Sequence, residues 1–263
     1  MRRPLLLIML TILAPAGMPA YAQELRIHTD ISADTATGNR VATHMAAGGG
    51  WSTLFVLMNL GTTPATYTLK FYGDSGSPQA FPFKNPKTQE VFGVQSVLSG
   101  NIPVGGEVYL KAQDKANTTT TGWALIDPSS TGDIGGAAVF TYDLTGQQAI
   151  VPIENSSTQK FVIPFDNTGG TATGIALVNP HSNPVTVSVV FRDVNGVTLH
   201  SDRIQMQPLE HTSFVLSGQY PGLAAQAGTA YFSTDSGADA VAGLGILANS
   251  VGAYTTVFAL AAQ

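Results

Sequence analysis

Ala65-Thr-Tyr-Thr-Leu-Lys-Phe71 and Val185-Thr-Val-Ser-Val-Val-Phe191, 120 residues apart, decide the fold. In each, residues of one face alternate with residues of the other, the period of a pleated strand with one buried side. Ala65, Tyr67, Leu69 and Phe71 share a face of the first, and Val185, Val187, Val189 and Phe191 share a face of the second. A one-residue slip would turn either strand inside out. Agreement in phase therefore predicts equivalent places in two copies of one unit.

The same shift holds on both sides. Gly49-Gly50 matches Gly169-Gly170, Leu54-Phe-Val-Leu-Met-Asn59 matches Gly174-Ile-Ala-Leu-Val-Asn179, Pro64 matches Pro184, and Gly76 matches Gly196. The shift then falls to about 105, setting Pro103 against Pro208, Gly106 against His211, and Val108-Tyr-Leu110 against Ser213-Phe-Val215. That drop predicts a longer loop in the first copy, around Phe83 to Val94. Gly122-Trp-Ala124 matches Gly228-Thr-Ala230, and Ala149-Ile-Val-Pro-Ile153 matches Thr255-Thr-Val-Phe-Ala259. Short runs separated by turn signals such as Asp74-Ser-Gly76 and Val194-Asn-Gly196 have the spacing of a β-sandwich. The expected organisation is an all-β chain of two tandem sandwich domains from an internal duplication. One covers 40–153, a linker covers 154–159, and the other covers 160–263.

The N-terminus predicts export. Arg2 and Arg3 precede an apolar run from Leu5 to Ala14, and Ala20-Tyr-Ala22 supplies the small residues that signal peptidase requires. Residues 1–22 are read as a Sec-type signal peptide and 23–39 as an N-terminal arm. The apolar run is too short to cross a bilayer as a helix, and no later segment offers a transmembrane helix. The expected location is the periplasm, the cell surface or the medium.

Charged residues make up only 11% of the chain, and the net charge is −5. Without Arg2 and Arg3 the balance is 10 basic against 17 acidic residues, or −7. No basic cluster exists to hold a phosphate backbone, so nucleic acid is excluded as a partner. The chain has no cysteine. Disulfides, thiolate metal sites, cysteine nucleophiles and a lipidated N-terminal cysteine are excluded with it.

Trp51-Ser-Thr-Leu-Phe-Val-Leu-Met-Asn59, Phe165-Asp-Asn-Thr168, Gly174-Ile-Ala-Leu-Val-Asn-Pro180, Phe191-Arg-Asp-Val-Asn-Gly196 and Pro208-Leu-Glu-His-Thr-Ser-Phe214 resemble units of secreted bacterial tandem immunoglobulin-like β-sandwich repeat proteins. The resemblance implies immunoglobulin-like sandwiches with a structural or adhesive role at the cell exterior. It carries no catalytic residues to transfer.

Motifs that suggest chemistry are few. Gly73-Asp-Ser-Gly-Ser-Pro78 is similar to the nucleophile segment of trypsin-like proteases, with His44 upstream. Its alignment with Val194-Asn-Gly196 predicts a hairpin turn instead, with Gly76 supplying the positive φ. Asp166, Asp193 and Asn195 are the oxygen donors a calcium ion would use, but no bidentate Glu follows, and Asp and Asn are independently favoured in turns. The histidines at 28, 44, 181, 200 and 211 lack zinc spacing and are expected to be scattered over the surface. Trp51 and Trp123 occur only in the first copy, and exposed rings there would stack on sugars. No catalytic residue is assigned. The expected function is a non-enzymatic, structural, adhesive or binding role toward an envelope or extracellular protein or a glycan. Alternatives are a carbohydrate-binding module using the two tryptophans and an extracytoplasmic hydrolase. No cofactor is expected, calcium being the one alternative.

Overall fold

The computed structural model describes residues 40–127, 130–155, 158–235 and 241–262. The predicted signal peptide and arm lie outside the described residues. The first half contributes strands β1 (Arg40–Ala47), β2 (Trp51–Asn59), β3 (Ala65–Gly73), β4 (Phe81–Lys84), β5 (Val91–Gln95), β6 (Val97–Ile102), β7 (Glu107–Gln113), β8 (Thr120–Ile126), β9 (Ile134–Tyr142) and β10 (Gln147–Asn155). The second half contributes β11 (Lys160–Asp166), β12 (Ala172–Val178), β13 (Val185–Asp193), β14 (Thr198–Met206), β15 (His211–Val215), the single helical turn α1 (Leu216–Gln219), β16 (Ala227–Thr234), β17 (Ala242–Ala248), β18 (Tyr254–Phe258) and β19 (Leu260–Ala261). The fold is an all-β, sandwich-like stack of antiparallel sheets.

In the second half one sheet runs β14-β13-β16-β11-β19 and the other β15-β12-β17-β18. The first half follows the same order, β6-β3-β8-β1-β10 and β7-β2-β9-β10. There the last strand turns the corner: residues 147–152 pair with β9 and residues 153–155 with β1, joining the layers into one ten-stranded sheet. The hairpin β4–β5 extends this sheet beyond β7 and has no partner in the second half. It occupies the place where the longer loop is predicted. The central pairs β2–β7 and β3–β8 have immunoglobulin neighbours, but the flanking strands do not. An immunoglobulin sheet sets its first strand beside the second and its last beside the sixth. Here β1 lies beside β8, and β9 beside β2.

The ladders also refine the alignment between halves. Leu57 faces Val108 and Leu177 faces Thr212, so the shift across β7 and β15 is 104 rather than 105. His211 thereby corresponds to Glu107, and Pro103 to Gln207. Gly105 and Leu209, at φ 67° and 59°, now fall at the same turn position.

Buried polar ties recur at matched places. Thr53 Oγ1 accepts from the Ala46 amide (3.0 Å) and donates to its carbonyl (2.9 Å). Thr173 makes the same pair with Asp166, at 2.9 Å each. Asn59 donates to the carbonyls of Thr63 and Ile102 and accepts from the Gly61 amide. Asn179 donates to the carbonyls of Asn183 and Gln207 and accepts from the His181 amide. Backbone groups at these buried strand ends lack ladder partners, and the side chains satisfy them.

Strand β12 is buried on both faces. Ile175 and Leu177 enter the core of the second half, Ala176 joins the core of the first, and Val178 packs with Val41, Trp123 and Leu125. The two halves belong to one compact unit with apolar packing continuous across their junction.

Candidate functional site

The junction carries a buried polar chain that starts at a turn. Gly73-Asp-Ser-Gly76 closes with Gly73 N–H donating to the Ser77 carbonyl (2.9 Å) and Gly76 N–H to the Gly73 carbonyl (3.0 Å). Asp193 and Gly196 make the same two bonds, and Gly76 and Gly196 sit at φ 78° and 82°. Ser75 is exposed on this turn. The turn reading holds, and the neighbour Asp74 is the residue with chemistry.

The Asp74 carbonyl accepts from the His211 amide at 3.1 Å, and its carboxylate lies 2.8 Å from His211 Nδ1. Thr121 donates its hydroxyl to the same carboxylate. His211 Nε2 lies 3.2 Å from His44 Nδ1. Both imidazoles are buried, at 2% and 8% exposure, which overturns the expectation of scattered surface histidines for this pair. His44 sits at a β-bulge: between Ala42 and Met45, strand β1 has one residue more than β8 opposite it. The matching stretch of β11 pairs with β16 without interruption. A bulge bends its strand and re-aims a side chain. Here that side chain is His44, which meets β15 of the other half.

The proton order follows from the carboxylate. An acceptor beside Nδ1 puts a proton there, so the His211 Nε2 lone pair is placed to accept from His44 Nδ1–H. That leaves His44 Nε2 as a bare acceptor. It has no hydrogen-bond partner among the described residues, and it is not sealed from solvent. His44 lines a cavity of about 330 Å³ between the halves, whose other walls are Gly174, Ile175 and Ala176 of β12, Ser213, Phe214 and Val215 of β15, and Ile246 of β17. Burial, followed by the charge of His211, pushes His44 down from the ordinary 6.5 to about 3, against a smaller upward pull from Asp74. The hydrogen bond from His211 holds the Asp74 carboxyl below the usual range, with Thr121 adding to it and burial opposing.

The two tryptophans have other work. Trp123 is fully buried, stacked on Tyr72 at 4.8 Å, and donates its indole N–H to the Leu209 carbonyl of the other half at 2.9 Å. Its ring is unavailable to a sugar. Trp51 is half-buried and stacks on Phe140 at 4.3 Å, with Tyr142 and Tyr254 packed around it. Trp123, with its ring buried, is no open platform for a sugar.

The proposed calcium donors are used locally. Asp166 Oδ1 accepts from the Thr168 amide and hydroxyl, and Asp193 Oδ1 accepts from the amides of Asn195 and Val197. Asp166 and Asp193 end β11 and β13 on either side of β16. Two strand spacings of about 4.8 Å thus separate their backbones. Among the described residues no three His, Cys, Asp or Glu side chains converge as metal ligands.

Compared with known proteins, the chain matches no family model, and no curated protein matches it.

Proposed function

We propose that the chain is a non-enzymatic exported protein, built by duplication of one β-sandwich unit, that acts outside the cytoplasm through a binding role. The single observation that carries this reading is the cavity at the junction. It has largely apolar walls and an imidazole nitrogen of His44 with no partner among the described residues, the pattern of a ligand pocket. The common strand order and the paired Thr and Asn ties support the duplication. The apolar run and small residues of 1–22 support export. A glycan or an envelope protein remains a natural partner class for an exterior protein, but not through a stacked Trp51–Trp123 platform.

A second reading, an extracytoplasmic hydrolase, draws on the Asp74–His211–His44 chain, because a carboxylate-oriented imidazole is half of a nucleophile-activating device. Against it, Ser213 is the one hydroxyl among the cavity walls, and it makes no hydrogen bond to His44. The test is a panel of ester, peptide and glycoside substrates with the protein lacking residues 1–22. No turnover is expected from it. Turnover that disappears in His44→Gln would overturn the binding reading in favour of the hydrolase.

A further inference from the structure

His44 is an unusual wall for an apolar cavity. Its Nδ1 is committed to His211, which is committed to Asp74 through both backbone and side chain. The imidazole therefore cannot turn to satisfy Nε2 without breaking a buried hydrogen bond and leaving His211 Nε2 unpaired. The remaining walls make no hydrogen bond to Nε2: Gly174, Ala176, Val215 and Ile246 present carbon on the face toward His44, Ile175 and Phe214 turn their side chains into the core of the second half, and the Ser213 hydroxyl makes no hydrogen bond to His44. Solvent water can serve Nε2, but it leaves the apolar walls wet, and a ligand with an apolar body covers them. An apolar body that brings its own donor fits both features.

We propose that this cavity binds a small, largely apolar molecule with one hydroxyl group, which donates its hydrogen to Nε2 of His44 while the apolar body lies against Ala176, Val215 and Ile246. This names a ligand class for the binding role proposed above and rests on that reading. Size narrows it further. A cavity of about 150 Å³ accepts benzene. One of about 330 Å³ takes a fused bicyclic ring or an aliphatic body of similar bulk.

The chain of contacts also sets the polarity of recognition. With the His211 Nδ1–H donating to Asp74 and His211 Nε2 accepting from His44, the His44 Nε2 accepts. A ligand with an ether oxygen at the same place puts lone pair against lone pair. Discrimination between donor and acceptor is thus the signature of this site, distinct from simple apolar partitioning.

The experiment uses the protein lacking residues 1–22 at neutral pH and three probes of one shape: 2-naphthol, 2-methoxynaphthalene and naphthalene. Calorimetry or ligand fluorescence should give 2-naphthol the tightest binding, with both analogues about 3- to 10-fold weaker, as one net hydrogen bond allows. His44→Phe should bring the three probes to equal affinity. Gly174→Leu supplies an independent check that leaves the histidines in place. A Cβ at Gly174 meets only ordinary contacts, at 3.8 Å from the Ile246 carbonyl and 3.9 Å from that of Phe214, so the side chain enters the cavity without displacing backbone. That variant should fold like the parent and lose all three probes. Equal binding of 2-naphthol and 2-methoxynaphthalene by the parent overturns the proposal, as does undiminished binding by Gly174→Leu or failure of every probe to bind. These outcomes leave the export and non-enzymatic readings standing, whereas turnover in the substrate panel removes the non-enzymatic reading and not the hydroxyl preference.

Discussion

In the first half, β2 carries Thr53 tied to Ala46 near its start and Asn59 closing its end; in the second half, Thr173 and Asn179 hold β12 in the same way. Across from these shared ties, the halves diverge. His44 stands where the second half has Pro164, Asp74 where it has Val194, and Trp123 where it has Thr229. Glu107 stands in the first half where the second has His211. Those divergent positions in use, His44, Asp74, Trp123 and His211, all reach across the junction. Residues common to the two halves tie strand ends within each half, and residues that differ join the halves.

Trp123 tests the joining residues most severely. Truncation to Ala removes a fully buried indole from a cluster shared by both halves and leaves the Leu209 carbonyl without its donor. A loss of about 3 to 5 kcal/mol is expected in urea unfolding. The parent should unfold in one transition because its core runs through the junction, and Trp123→Ala should split that transition in two. The Trp123→Ala variant with one undivided, unshifted transition would place the joining energy elsewhere.

Acid tests the same junction through His44. Its folded value of about 3 lies below the ordinary 6.5, so below about 6.5 the unfolded chain binds a proton that the folded chain does not. Stability then falls with pH at a slope approaching ~1.4 kcal/mol per pH unit until about pH 3. Asp74 acts in the same sense. Its lowered folded value gives stability that is present above the ordinary carboxylate range and lost as pH falls through the folded value. His44→Gln should flatten the part of the profile between pH 6.5 and 4.5, measured by urea midpoints at each pH. An unchanged slope would mean that His44 protonates freely in the folded state.

The repeating residues should instead respond alike. Asn59→Ala and Asn179→Ala each strand two carbonyls and one amide, at a cost of about 2 kcal/mol. The comparison requires near-equal losses. If one exceeded the other severalfold, the two asparagines would be matched in geometry but not in weight.

The repeating layer was legible in the sequence because it is periodic. Alternation in residues 65–71 and 185–191, the matched Asn59 and Asn179, and the paired turns at Gly76 and Gly196 are local patterns that the two halves share. Even there the shift was one residue off at Pro103, since matching prolines suggested 105 while the ladders give 104. Turn geometry rather than residue type is what matches, as Gly105 and Leu209 share a left-handed backbone. The junction was not legible. His44 and His211 are far apart in the chain, and a bulge that no residue pattern announces aims one at the other. His211 has no sister histidine, and it is such an unmatched residue that reaches the other half here. Trp123 misled for the same reason: its uniqueness suggested a ligand, and its partner is the other half of the same protein.

The two turns give the smallest and cleanest separation of folding from joining. Gly76 and Gly196 have the same φ, and a side chain at either is strained by about 1 kcal/mol. At Gly196 nothing lies within 4 Å of an added Cβ, so Gly196→Ala should cost that strain and no more. At Gly76 the same atom would sit 2.3 Å from the Pro208 carbonyl, in the segment that receives Trp123 and precedes His211. Backbone cannot yield there without moving Leu209 and the start of β15. Gly76→Ala should therefore lose more stability than Gly196→Ala, and it should also weaken 2-naphthol binding, which Gly196→Ala leaves intact. If the two variants prove equal in both respects, the first-half turn is only a turn, and the junction must be held by Trp123 and the histidines without it.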